Sequence, residues 1–154
     1  MMNLNKSKTF TVDIDWPVHG GQALPPLPDP NSIQFLEIYL SENVNFNSYG
    51  IKDWINWLKP FSNKDGICIQ LHHCPSTVVY LINIMIDFLP KNGELISFYV
   101  PYYSQETDET QNILFKKGHQ FLEDKLIEPE VKDSAGNLME MDIVPSTFFK
   151  FLNR

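Results

Sequence analysis

Between Ile33 and Val100 the apolar residues change period several times, and this alternation limits the folds open to the chain. Ile33–Leu40 alternates every second residue, with Phe35, Glu37 and Tyr39 opposite Leu36, Ile38 and Leu40, the period of a strand. Ile51, Trp54, Ile55 and Leu58 then fall at helical spacing, with Lys52, Asp53 and Asn56 on the other side, which predicts an amphipathic helix over 51–58. Pro60 ends it, and Asn63-Lys64-Asp65-Gly66 supplies a turn. Ile67–Leu71 is of strand length, Ser76 is placed to cap a second helix over Thr77–Leu89, and Leu95–Val100 is again a strand. Helices between strands at such short distances imply right-handed crossovers onto a mostly parallel or mixed sheet, with the helices packed on one face. The expected fold class is therefore α/β.

The flanks are less regular. Thr9–Asp15 alternates through Phe10, Val12 and Ile14 and predicts a first strand. His19–Pro30 holds Gly20-Gly21, Pro25-Pro26 and Pro28, so no helix or inner strand runs through it. It reads as a stiff surface connection or, alternatively, as a polyproline ligand. Beyond Pro101, Tyr102–Gln111 is polar and acidic, and Asn112–Leu122 reads as a helix interrupted at Gly118. Leu126–Val131 and Leu138–Ile143 flank Asp133-Ser134-Ala135-Gly136-Asn137, which has the turn chemistry of a hairpin. Phe148, Phe149, Phe151 and Leu152 are expected to dock the C-terminus on the core. The domain expectation is one α/β unit over residues 1–103 with a hairpin-like extension, 104–154, packed on it.

Composition narrows function by exclusion. The chain of 154 residues is 43% hydrophobic and 20% charged, within globular usage. Its net charge of −7 and scattered lysines oppose phosphate-backbone binding, so no nucleic-acid partner is expected. The polar start, Met1–Lys8, has no apolar stretch behind it to read as a secretory signal. The longest apolar run, Val78–Leu89, is too short to span a bilayer, so no membrane insertion is expected. Only two cysteines occur, Cys68 and Cys74, and a reducing, cytoplasmic setting is the simplest reading. No dinucleotide, phosphate-loop or His-Glu-x-x-His motif is present, and no cofactor is expected.

At Val44-Asn45-Phe46-Asn47-Ser48-Tyr49-Gly50-Ile51, leading from a strand into a helix, the chain resembles the STAS domain of bacterial anti-sigma factor antagonists. The element order matches over roughly residues 9–100, except that the proline-rich loop stands where those domains place a helix before the central strand. Asn47 to Ile51 align with the family's Asp-Ser-Ser-Gly-Leu-like turn. Asn47 stands for the acidic residue and Tyr49 for one of the two hydroxyl positions, which leaves Ser48 as the serine of the turn. The resemblance implies a regulatory protein-interaction module without catalytic activity, whose turn hydroxyl, here Ser48, is phosphorylated by a partner kinase. It places the docking surface for that kinase or an anti-sigma-like regulator on Asn47, Ser48, Tyr49, Gly50, Ile51, Trp54 and Trp57. Cys74-Pro75-Ser76-Thr77-Val78-Val79 and Ser97-Phe98-Tyr99-Val100-Pro101-Tyr102-Tyr103 resemble one divergent group with a zinc-ribbon-like tail. Ser104 and Thr107 stand at that group's first Cys-x-x-Cys, and Leu138-Met139-Glu140-Met141-Asp142 matches its later segment, so the thiolate ligands are absent and no zinc is expected.

Each feature has a plainer reading. Ser48 at a helix start can be only an N-cap, contributing about 1 kcal/mol. Trp57, off the centre of the apolar stripe, is either a partner anchor or half-buried packing. The second helix, apolar almost all round, is either deeply buried or covered by a partner. A rival function is a small metal-binding or thiol-dependent enzyme: if strand geometry continues to residue 74, period two puts Cys68, His72 and Cys74 on one side, with His73 beside them. Against it stands a buried Cys68 with two surface histidines.

Overall fold

In the computed structural model, which describes residues 8–153, the period-two segments become neighbouring strands. The start of the chain, residues 1–7, lies outside the described residues. β1 (Thr9–Asp13), β2 (Phe35–Tyr39), β3 (Cys68–His72) and β4 (Gly93–Leu95) form a parallel sheet in that order. Register is unbroken from Thr9↔Phe35 to Asp13↔Tyr39 and from Phe35↔Cys68 to Tyr39↔His72. α1 (Ser48–Leu58) joins β2 to β3, and α2 (Ser76–Ile84) joins β3 to β4. Val12, Leu36, Ile38, Ile69, Leu71 and Leu95 lie buried on the sheet face that shares a core with Trp54, Leu58, Val78 and Val79 of the helices. The opposite face carries Thr11, Glu37, Tyr39, Gln70 and His72, exposed or half-buried. Parallel sheets are usually covered on both sides; here the polar alternation leaves one side open.

β1 returns to β2 without a helix. The proline-rich connection tucks Leu24 and Leu27 against the core, its Pro25 carbonyl accepts a hydrogen bond from Trp57 Nε1 at 2.7 Å, and Asp29 caps a 3-10 turn at Pro30–Ser32. α2 stops at Ile84, earlier than expected, and the following turn brings Phe88 back under α1. The helix's apolar circumference is met partly by the chain's own C-terminus. Asn83 Nδ2 donates to the Phe148 carbonyl at 2.8 Å, and Tyr80 packs edge-on to Phe148.

The second half departs from expectation at residues 112–122. Thr110–Lys116 is a strand, β6, antiparallel to β5 (Ser97–Tyr103) from Ser97↔Lys116 to Tyr103↔Thr110. The helical reading fails because β5 offers an edge along its whole length, and a strand there pairs with β5 over seven residues while burying Phe115. Gly118, at φ +87°, then turns the chain into the short pair β7 (Phe121–Leu122) and β8 (Lys125–Leu126). The expected hairpin forms only beside its turn: Lys132 bridges Leu138 in antiparallel fashion, the Asp133 amide donates to the Asn137 carbonyl at 2.9 Å and the Met139 amide to the Val131 carbonyl at 2.8 Å, after which β9 (Glu140–Met141) leaves to pair with β5. A short helix, α3 (Pro145–Phe148), and a 3-10 turn complete the chain. Phe98 on β5 packs against Phe115, Phe121, Phe148, Phe149 and Phe151. One core cluster therefore runs across the 103/104 boundary.

Candidate functional site

The turn into α1 is assembled from two segments. The Val18 amide donates to the Asn45 carbonyl at 2.8 Å, and Val18 bridges Phe46 in parallel, so Val18–Gly20 runs directly beneath the first turn of the helix. Asn47, in extended backbone, caps the helix: its Oδ1 accepts from the Gly50 amide at 2.8 Å. The cap is thus the asparagine, not the serine. Ser48 is exposed, its hydroxyl has no hydrogen-bond partner among the described residues, and Tyr49 beside it is 73% exposed. Gly50 is buried against the Val18 carbonyl, so close that a side chain at this position would strike it.

The other residues assigned to this surface divide by helical phase. Ile51 is half-buried. Trp54 is wholly buried: it stacks on Phe88, meets Phe46 edge-on, and donates from Nε1 to the Phe88 carbonyl at 2.9 Å. It therefore belongs to the core and is unavailable to a partner. Trp57 is half-buried and occupied by the proline-rich loop. Asn47, Ser48 and Tyr49 remain open, with Lys52 one turn on.

The residues of the rival reading are separated. Cys68, Gln70 and His72 share the open face of β3, but His73 adopts φ +55° and its amide bonds Ser97 Oγ. That kink reverses the alternation and drives Cys74 into the core, where it bridges Phe98. Burial pushes the Cys74 thiol well above its ordinary value, the opposite of an activated nucleophile. His72 stacks on Tyr39 with Nε2 3.4 Å from Glu37, and burial lowers its pKa despite that carboxylate. Among the described residues no group of three or more His, Cys, Asp or Glu side chains could hold a metal ion.

Ser104 and Thr107, by contrast, do converge, on Asp133. The buried carboxylate accepts from Ser104 Oγ at 2.6 Å, Thr107 Oγ1 at 3.1 Å, the amides of Ala135 and Asn137, and Asn137 Nδ2. A hydrogen-bonded anion ties the end of β5 to the 133–137 loop. The Ser104 hydroxyl above all, then Asn137 and Thr107, hold Asp133 well below the usual carboxylate range, against the opposing effect of burial. With the folded pKa depressed, the stabilisation is present above about pH 4 and is lost as pH falls below that value. The protection of the Met139 amide, which donates to the Val131 carbonyl, measured relative to its intrinsic exchange rate at each pH, is therefore expected to fall on acidification below about pH 4, and Asp133→Asn should flatten that dependence. Equal acid responses in the two proteins would refute the assignment.

Another feature is legible in sequence only as the all-round apolar character of the second helix. At its last residue and just past it, Ile84 and Ile86 are 74% and 87% exposed, and Ile86 stands between grooves beside α1 and beside the C-terminal turn. Among the described residues no helix is long and apolar enough to cross a membrane. Compared with protein-family models, with curated proteins and with solved structures, the chain matches none.

Proposed function

We propose that this chain is a regulatory protein-interaction module with a STAS-like arrangement, acting in the cytoplasm, in which the open bend Asn47-Ser48-Tyr49 and the outer side of α1 receive a protein partner and Ser48 is the phosphoacceptor. The observation that carries this reading is the division of labour at the helix start. Asn47 performs the capping, so the Ser48 hydroxyl is free, exposed and one residue inside a helix N-terminus. A phosphate there would sit near unpaired amides and the positive end of the helix dipole. It would add about −1.5 to −2 charges where a partner must lie against Tyr49 and Ile51. The parallel β-α-β-α-β succession from Phe35 to Leu95 supports the STAS-like reading of the fold. The metal or thiol alternative has less support, since Cys74 is sealed in the core away from His72.

Affinity capture from the native cell, with wild type, Ser48→Ala and Ser48→Asp as baits, tests the proposal. One partner should be held by wild type and Ser48→Ala and weakened by about tenfold or more in Ser48→Asp, the scale of a charge placed against an apolar contact. Indifference of every captured protein to Ser48→Asp would count against the switch.

A further inference from the structure

The apolar residues past α2 form a second surface, at the far end of α1 from Ser48. Ile86 stands between two concave regions. One, of about 350 Å³, is lined by Ile55, Asn56, Lys59 and Pro90. The other, of about 420 Å³, is lined by Ile82, Asn83, Lys150 and Phe151. Lys91 borders both. An exposed isoleucine between two grooves of mixed lining, in which Ile55 and Pro90 on one side and Ile82 and Phe151 on the other stand among polar groups such as Ser62, Asn63 and Asn83, is more than the isolated exposed apolar side chain normal on soluble proteins.

Charge identifies what fits it. Lys59, Lys91 and Lys150 are exposed and, like Lys52, Lys64, Lys116 and Lys125, make no ion pair with a carboxylate among the described residues; what sets them apart is that they border these two grooves. Asp87 is the one acidic side chain in the lining of either groove. On a chain of net charge −7, these three lysines make a local positive rim around an apolar centre. We infer that this surface docks an acidic amphipathic segment of a partner protein, with large apolar residues in both grooves, a small residue over Ile86, and Asp or Glu facing Lys59, Lys91 and Lys150. Rim charges of this kind give specificity and speed of association, while the buried apolar anchors hold the complex. An anionic bilayer would also meet the lysines, but a chain of net charge −7 is repelled by an extended anionic plane. A short peptide meets only what lies within about 8–10 Å, the range of screened charges. The inference does not depend on Ser48.

Selection of a displayed library of random peptides, each roughly 15 residues and so about four helical turns, against the full chain tests it. The enriched peptides should combine paired large apolar residues with Asp and Glu. Their affinity should fall at least about tenfold for Ile86→Asp and for Lys91→Glu with Lys150→Glu, and should weaken with salt. Ile86 is exposed, so its replacement leaves the core intact, and an unchanged melting temperature verifies this. Phosphatidylcholine vesicles containing phosphatidylserine form the second arm. Enrichment of basic or uncharged peptides, undiminished binding to Ile86→Asp, no enrichment, or vesicle binding in place of peptide binding would each overturn the proposal. Because the Ser48 variants leave this surface intact, the two hypotheses fail separately.

Discussion

Gly50→Ala is expected to destabilise the protein by at least about 3 kcal/mol, although helix propensity alone predicts a gain of about 1 kcal/mol. The reason is the segment beneath α1. A Cβ on residue 50 would lie 1.6 Å from the Val18 carbonyl oxygen and 2.5 Å from its carbon. These are backbone atoms held by the Val18–Asn45 hydrogen bond and the Val18–Phe46 bridge, so no rotamer change relieves the clash. Either the helix start lifts away and releases the Asn47 cap, or the first loop is displaced. Urea denaturation compares the two proteins directly, and a neutral or stabilised Gly50→Ala would show that the close approach is wrong. The same geometry gives Gly50, which the resemblance counts among the partner-binding residues, a sufficient packing role of its own.

Trp54→Ala should have a comparable or larger effect. Removing a wholly buried large aromatic costs about 3–5 kcal/mol when the surroundings collapse incompletely. The variant also leaves the Phe88 carbonyl without its Nε1 donor, adding about 1–3 kcal/mol if water cannot reach it. Against a typical domain stability of about 5–15 kcal/mol, this brings the fold near its limit. Trp54→Phe keeps most of the stacking on Phe88 and Phe46 and should lose distinctly less, chiefly the hydrogen bond. Thermal and chemical denaturation of both variants would check the order. A Trp54→Ala protein within about 1 kcal/mol of wild type would mean that this side chain is not the centre of the α1 packing.

These two residues mark the limit of the sequence-based site. The spacing of Ile51, Trp54, Ile55 and Leu58 predicts the helix and puts Trp54 on its core stripe, but not that Trp54 is sealed completely while Ile51 and Ile55 stay half-buried. That depends on Phe88, which reaches Trp54 only because α2 ends at Ile84 and the chain turns back. The cap is a similar case. Asn47 and Ser48 are both good capping residues, and the backbone path set by Val18–Gly20 makes Asn47 the one that bonds to Gly50. His73 shows how one residue undoes a pattern: period two groups Cys68, His72 and Cys74, and a single positive φ sends Cys74 to the opposite side.

What the amino-acid order determines by itself is the local alternation: β1 to α1, β3, the start of α2, and the breaks at Pro60 and Gly66, whereas the strand expected over Leu95–Val100 is divided between β4 and β5 of two sheets. Each of the former rests on the period of apolar residues or on turn chemistry within a few positions, and neighbouring residues suffice to specify it. Tertiary structure decides the strand at 110–116, the meeting of Ser104 and Thr107 with Asp133, the cover that Phe148 gives α2, and the exposed ridge at Ile86. In each of those the deciding partner is distant in sequence: a free strand edge, a carboxylate, a docked terminus, or solvent left where no element of the chain arrives. Local pattern carries no information about such partners, because the free energy that selects them comes from surfaces that exist only once the sheet has formed.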